Sequence, residues 1–214
     1  MRPLLTLLLA TACYRPPDLP TTPYEAPPLI SDENSPVRIC APERDVRVAC
    51  TVDGDTFDGF TCGEAFGGER FRMLGIDAPE TEKPGKSADC YADIAAQELR
   101  RVLTNRFVTL AFDRTCTDVY GRTLAYVWMD LDEARNLLDP RVLDELEASA
   151  DVVVSDTGGT EPTARVLINT YMLLAGYARR FDEDWVEPLR FEAEMIAAER
   201  LASVRANGLW ATCE

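Results

Sequence analysis

Alternating apolar and polar residues begin near residue 45 and predict a β-meander. Its three strand-like segments are 45–52, 57–62 and 69–76, with glycines in the turns between them. A helical pattern follows. Two further strands are then predicted over 106–113 and 122–130, and two further helices over 165–180 and 186–206. The first helix is predicted over 87–105, with Ser87 as a candidate N-cap. Five strands with helices at one edge and one end favour a small closed Greek-key barrel.

Residues 131–164 interrupt this pattern and read as an acidic insertion. They contain nine acidic and two basic residues, a net charge of −7 within a chain whose formal charge is −15. The stretch 139–150 is helix-prone, and 155–163 reads as a loop. We expect a solvated surface excursion with no catalytic part, pointing away from any nucleic-acid path. The acidic balance argues against a passive nucleic-acid coat, which would be basic.

The N-terminus has the pattern of an export signal followed by a tether. Residues 1–12 place one positive charge before a short apolar stretch, which is too short to span a membrane. The sequence up to Cys13 resembles a bacterial lipobox, which predicts lipidation of that cysteine, although Ala10-Thr11-Ala12 also fits an ordinary cleavage site that would leave a secreted or periplasmic protein. Residues 13–36 are proline-rich and predict an extended spacer. The folded domain is expected over 37–214.

Two features of the composition narrow the chemistry. The chain has no histidine, which excludes mechanisms that need imidazole as a base, nucleophile or metal ligand. Six cysteines remain when Cys13 is set aside, and an even number in an exported protein indicates disulfides. Six cysteines allow fifteen pairings, and their spacing does not choose among them.

Unusual polar residues stand where the predicted strands end. The strand in "RMLGIDAPET" (72–81) stops at Asp77, because Pro79 cannot continue a ladder. In a meander, Asp55 of the first turn can approach Asp77, and two carboxylates suit a hard cation such as calcium or magnesium. Arg72 and Arg122 offer planar forks for phosphate. Glu80 is left beside this group, where a general base could activate water.

The motifs "VDGDT", "FRMLGIDAPET", "TDVYGRTLAYVW" and "GLW" resemble those of the staphylococcal nuclease (thermonuclease-like) family, in the family's order. The resemblance covers about 46–130 and 165–210. It implies an OB-fold-like five-stranded barrel with three helices. It also implies that calcium is held by Asp55, Asp77 and the backbone carbonyl of Ala78.

Further roles follow from the same resemblance. Glu80 matches the family's general base, and Arg72 and Arg122 match its two phosphate-clamping arginines. Tyr120 matches an aromatic residue beside the bound nucleotide, and Asp53 looks like a carboxylate that supports the metal ligands from behind. Val119 stands where the staphylococcal pattern has lysine, so the resemblance does not carry over the phosphate contact of that lysine.

The family fold also suggests a disulfide scheme. It implies that Cys90 and Cys116 lie on neighbouring segments and pair. Cys50 and Cys62 are on successive strands and could pair across the hairpin. Cys40 and Cys213 are then left to join the two ends of the domain.

The expected function is a monomeric, calcium-dependent nuclease, exported and lipid-anchored in the bacterial envelope, that hydrolyses DNA and RNA with little sequence specificity. The alternative is a catalytically inactive barrel that binds nucleic acid or another envelope component, since barrels of this class are common binding modules. Retention of the arginines, the carboxylates and the base favours the enzyme.

Overall fold

A computed structural model describes residues 39–81, 85, 87–148, 152–155, 163–181 and 188–213, with backbone only for 152–155. The signal, Cys13 and the tether, predicted over 1–36, lie outside these residues. Among the helices of the described residues, none combines the length and the apolar character needed to cross a membrane.

The strands of the predicted meander form as expected, and a helix follows them. In chain order the elements are β1 (Arg44–Thr51), β2 (Thr56–Gly59), β3 (Glu69–Met73), β4 (Ile76–Asp77), α1 (Ala92–Leu103), β5 (Phe107–Ala111) and β6 (Thr123–Asp130). Strands β1, β2, β3, β5 and β6 pair in the order β3-β2-β1-β5-β6, and a parallel pairing of β3 with β6 closes the ring. The predicted five-stranded barrel is confirmed.

The second half of the chain adds helices around the barrel. Its elements are α2 (Leu131–Leu137), α3 (Pro140–Ala148), β7 (Val152–Ser155), β8 (Thr163–Leu167), α4 (Ile168–Leu174), β9 (Arg179–Arg180), α5 (Glu192–Arg205) and α6 (Leu209–Thr212). The three predicted helices correspond to α1, α4 and α5, and α2, α3 and α6 are further helices. The hairpin β7–β8 extends the sheet from β6, while β4 and β9 form a separate two-stranded sheet.

The helix predicted over 165–180 is wrong at both ends. Val166 pairs with Met129 of β6 as part of a strand, and Arg179 and Arg180 form β9 opposite β4. Only the central residues, α4, are helical, and all of them are buried. Because α4 is buried on every side, its polar residues Asn169 and Thr170 do not mark a solvent-facing side, and the sequence period does not distinguish a helix from a strand there.

One buried amide joins α4 to the barrel. The side-chain oxygen of Asn169 accepts a hydrogen bond from the backbone N–H of Val127 at 2.9 Å, and its NH₂ group donates to the carbonyl of Leu74 at 2.8 Å. Asn169 is fully buried, so both partners satisfy groups that would be costly to leave unpaired. This contact fixes the chain just before the turn at Gly75, which leads into the candidate site.

The acidic insertion differs from the expected solvated excursion. Leu138, Leu143 and Leu146 are buried and belong to the main hydrophobic core. Arg205 of α5 pairs with Glu145 at 2.6 Å, which ties α3 to the last long helix. Acidic residues lie on the solvent-exposed side of α2 and α3. The regularly spaced apolar residues of both helices pack against the domain.

The described residues form three disulfides, and one of these three pairings was predicted correctly. The Cys50–Cys62 pairing is confirmed across the β1–β2 hairpin. The Cys90–Cys116 and Cys40–Cys213 pairings are wrong, because the observed bonds are Cys40–Cys116 and Cys90–Cys213. Cys40 donates its N–H to the carbonyl of Asp113 at 2.8 Å, which places it beside the segment that contains Cys116.

Candidate active site

The turn between β1 and β2 is built for close packing. A β-carbon at Gly54 would lie 2.6 Å from the β-carbon of Ala78 and 3.0 Å from that of Ala95, so glycine is required there. The N–H of Val52 donates to the carbonyl of Thr56 at 2.8 Å and closes the turn. The "VDGDT" turn therefore lies against both the "DAPE" segment and α1.

Asp55 is a buried carboxylate that anchors this turn to residue 78. Its side chain is about 4% exposed, and its Oδ2 accepts a hydrogen bond from the N–H of Ala78 at 2.6 Å. The hydroxyl of Thr56 donates to Oδ1 at 3.0 Å. Asp53 supports it from behind, because its Oδ1 accepts the N–H of Asp55 at 3.1 Å.

Arg72 brings the two predicted metal-ligand carboxylates together. It forms ion pairs with Asp55 through Nη1 and with Asp77 through Nη2, the second at 2.7 Å. Asp55 and Asp77 therefore converge on one positive centre, as the meander predicted. The side chain of Asp77 is about 50% exposed, so this group opens to solvent on one side.

A second arginine stands on the loop that leads into β6. Arg122 donates from Nε to Oδ2 of Asp118 at 2.6 Å, and Oδ1 of Asp118 accepts the N–H groups of Tyr120 and Arg122, both at 2.9 Å. Asp118 thus fixes both the turn and the guanidinium. The guanidinium carbon of Arg122 lies 5.3 Å from the ring centre of Tyr120.

Five of the predicted residues line one cleft of about 450 Å³. Its lining includes Arg72, Asp77, Glu80, Tyr120 and Arg122. Asp55 lies behind Arg72, and Asp53 and Ala78 lie behind Asp55. Phe181, which follows β9, completes one wall. Two cations, an open carboxylate, a second carboxylate at Glu80 and an exposed aromatic ring therefore face one space.

Burial and neighbouring charges shift the pKa values of this group. Burial lowers the pKa of Arg72, the nearby Arg122 lowers it further, and Asp77 opposes the shift. Burial also raises the pKa of Asp53, with Arg72 acting in the opposite direction. Burial alone would raise the pKa of Asp118, but its hydrogen bonds from Arg122 and Tyr120 outweigh burial and lower it.

Sequence reasoning did not assign roles to Asp118 and Asp89. Asp118 holds Arg122, and the signal was present in "TDVYGR", since aspartate two to four residues before such a turn typically accepts its N–H groups. Asp89 contacts Glu80 across nine residues of chain, for which a single sequence holds no signal. Val119, at the position of the missing lysine, is 93% exposed.

Comparison with known proteins places the chain in a family. The family profile described as "Staphylococcal nuclease homologue" matches residues 70–212, more than half of the chain. The chain belongs to this family. The match covers Arg72, Asp77, Glu80 and Arg122, which line the cleft.

Several curated relatives of this chain carry nuclease names. The chain is 43% identical over 86 residues to "Thermonuclease" of Staphylococcus intermedius, which is 40% of this chain and 49% of that protein. It is 40% identical over 89 residues to "Thermonuclease" of Staphylococcus hyicus, covering 42% and 51%. It is 34% identical over 80 residues to "Endonuclease YncB" of Bacillus subtilis (strain 168), covering 37% and 36%. The aligned part is about half the length of the two thermonucleases.

The donor set available for a metal is small. Across the described part of the chain, no three histidine, cysteine, aspartate or glutamate side chains group as a metal site. What the site offers is a pair, Asp55 behind the cleft wall and Asp77 in the cleft, whose oxygens meet at the guanidinium of Arg72. Two carboxylates that share one positive charge are suitable ligands for a hard cation, whose remaining coordination positions would be filled by backbone oxygen and water.

Proposed function

We propose that this chain is a calcium-dependent nuclease that hydrolyses the phosphodiester bonds of DNA and RNA with little sequence specificity. The observation that carries the proposal is the common cleft, in which Arg72 and Arg122 face the carboxylates of Asp77 and Glu80. Family membership and the nuclease names of the relatives support it.

The two arginines suit a phosphate substrate. A phosphodiester is an anion, and attack by water builds further negative charge on its oxygens. Arg122 is already oriented by Asp118, and Arg72 by Asp55 and Asp77, so neither has to be ordered when substrate binds. Such preorganised donors stabilise the transition state, and losing one typically costs about 10²–10³ in rate.

Asp55, Asp77 and the carbonyl of Ala78 are the residues that would hold calcium. When bound, the cation would help to neutralise the negative charge that builds on the phosphate. In the structure, the guanidinium of Arg72 supplies the positive charge between the two carboxylates. We propose that calcium shares those carboxylates with Arg72 and leaves its outer N–H groups to the substrate.

Glu80 is proposed as the general base that takes a proton from the attacking water. It lines the cleft with Asp77 and Arg72, and its backbone is fixed by Asp89. The chain has no histidine, so a carboxylate is the residue type on hand for this step. Tyr120, which is 80% exposed beside Arg122, is placed to stack on a base.

The proposal of low specificity rests on what the cleft contains. Its charged residues address phosphate, metal or water, and such contacts position a nucleic acid without reading its sequence. An inactive barrel would use the same arginines for binding alone. The retained Glu80 favours the enzyme.

The direct test is incubation of the purified chain with supercoiled plasmid, single-stranded DNA and RNA in millimolar calcium. We expect all three to be degraded, with Arg122→Gln as a matched variant that shows much slower cleavage. Retention of intact substrate in a gel-shift complex would support the inactive barrel instead.

We further propose that the protein is monomeric, exported and anchored through a lipid on Cys13. The three disulfides of the described domain fit an oxidising compartment. Labelled fatty acid should enter the wild-type protein and not Cys13→Ser. A protein released in soluble form with no label would indicate ordinary cleavage and secretion. Sedimentation of the solubilised protein at the mass of one chain would support the monomer.

A further inference from the structure

Two reciprocal contacts hold the backbone of Glu80. The N–H of Asp89 donates to the carbonyl of Glu80 at 2.9 Å, and the N–H of Glu80 donates to Oδ2 of Asp89 at 3.3 Å. Both residues are half-buried. Asp89, nine positions further along the chain, thus holds both the N–H and the carbonyl group of Glu80.

Asp89 is itself next to a covalent anchor. Cys90 forms a disulfide with Cys213, with 5.8 Å between their Cα atoms and a sequence separation of 123. The bond joins the segment before α1 to the end of α6. Its Cys90 end is exposed, so a thiol in solution can reach it.

The far end of this disulfide is firmly attached to the domain. The N–H of Leu209 donates to the carbonyl of Gly176 at 2.8 Å, which fixes the start of α6 against the end of α4. The ring of Trp210 lies 4.2 Å from the guanidinium carbon of Arg179. Arg179 is the strand partner of Asp77 in the β4–β9 pair. The α6 segment is therefore connected to the candidate site in two ways, through Arg179 to Asp77 and through the disulfide to the neighbour of Asp89.

We propose that Asp89 is a positioning residue for Glu80 and that the Cys90–Cys213 disulfide holds Asp89 in place, so that full turnover requires this bond. The proposal rests on the proposed function, in which Glu80 is the base. A displacement of about 1 Å in a reacting group can cost about 10²-fold in rate. This clamp, formed by Asp89 and the Cys90–Cys213 disulfide, positions Glu80 and leaves Arg72 and Arg122 in place.

Because the clamp contains a disulfide, we expect turnover to be sensitive to thiol reductants. A dithiol supplies two electrons and two protons, the Cys90–Cys213 bond breaks to give two thiols, and the dithiol closes to its own cyclic disulfide. Neither Cys90 nor Cys213 belongs to the main hydrophobic core. We therefore expect reduction here to lower kcat before it unfolds the domain.

The first test separates positioning from general stability. Asp89→Ala and Asp89→Asn are made in the full chain, each alone and combined with Glu80→Gln. We expect Asp89→Ala to lower kcat by about tenfold or more with little change in KM, and Asp89→Asn, which keeps the acceptor oxygen, to recover most of that loss. In the Glu80→Gln background, Asp89→Ala should cause no further loss.

Two failures of this test are distinguishable. An equal fold-loss from Asp89→Ala in both backgrounds would overturn the positioning claim and leave the proposed function standing. Wild-type turnover in Glu80→Gln alone would overturn the proposed base, and the clamp with it. Thermal unfolding of each variant above the assay temperature ensures that kcat refers to folded protein.

The second test addresses the disulfide. The Cys90→Ser/Cys213→Ser double variant is compared with Cys50→Ser/Cys62→Ser, which removes a bond that touches neither Asp89 nor Glu80. We expect the first pair to lose about tenfold or more in kcat and the control pair to keep kcat near the wild-type value. An equal kcat loss from both pairs, or none from the first, would overturn the proposal.

Discussion

Arg72 and Asp77 form a direct ion pair, with 2.7 Å between Nη2 and Oδ1, although the sequence assigns one to phosphate and the other to calcium. The same guanidinium also pairs with the buried Asp55. Arg72 therefore balances the charge of the carboxylates and faces the substrate cleft at once. We therefore expect the proposed binding of substrate and of calcium to be electrostatically linked through this residue.

Replacing Arg72 separates these two effects. Arg72→Gln should lower turnover by about 10²–10³, because one preorganised donor is lost. It should also lower the melting temperature in chelator, since a buried carboxylate that loses its partner costs about 3–5 kcal/mol. Calcium should then raise the melting temperature of the variant more than that of the wild type.

Arg70→Gln is the matched control for that measurement. Arg70 is on the same strand as Arg72 and pairs with Asp58 of β2 at 2.8 Å, outside the cleft. It should lose stability without a larger calcium response. A calcium response of Arg72→Gln no larger than that of the wild type would contradict the sharing of Asp55 and Asp77.

Glu80→Gln should reduce turnover by orders of magnitude while calcium still binds. The amide cannot take a proton from water, but it keeps the size and polarity of the side chain. Calorimetric titration with calcium, beside a single-turnover cleavage assay, measures both properties. If the variant no longer binds calcium, Glu80 is a ligand and its assignment as base is wrong.

Asp58 offers a test by pH away from the cleft. Burial would raise the pKa of Asp58, but Arg70 and the N–H of Gly63 outweigh it and lower the pKa below its ordinary value of 3.8. The folded state thus binds fewer protons, so the stabilisation is complete above 3.8 and disappears as pH falls through the lowered folded pKa.

Asp58→Asn should therefore lower the free energy of unfolding by about 1–3 kcal/mol at pH 7. The difference from the wild type should shrink as pH is lowered below 3.8. Urea titrations of both proteins across this range measure it. A difference that stays constant with pH would show that the carboxylate charge contributes nothing.

The acidic insertion can be tested through its core contacts. The sequence alone predicted a solvated surface excursion over residues 131–164. Leu146 is fully buried, so Leu146→Ala should cost about 2–5 kcal/mol, whereas Asp144→Ala on the exposed face of α3 should be close to neutral. Equal stability of the two variants would restore the view of a dispensable excursion.

The sequence predictions were correct where the pattern is local and wrong where the structure depends on contacts between distant segments. The alternation of β1, β2 and β3 and the turn residues of "VDGDT" are local, so the barrel and the approach of Asp55 to Asp77 could be predicted. The contacts between Asp89 and Glu80 and the pairing of Cys90 with Cys213 depend on how distant segments pack. A single chain carries no periodic or spacing signal for such contacts, and two of the three predicted disulfides were wrong for this reason.

Calcium dependence of phosphodiester cleavage is the central claim, and a single experiment tests it most directly. The wild-type chain and Asp77→Asn are incubated with single-stranded DNA in excess chelator, then in increasing free calcium. We expect no cleavage by the wild type in chelator, recovery with calcium, and a requirement for much higher calcium in Asp77→Asn, because one of two ligand carboxylates is lost. Undiminished cleavage by the wild type in chelator would contradict the account.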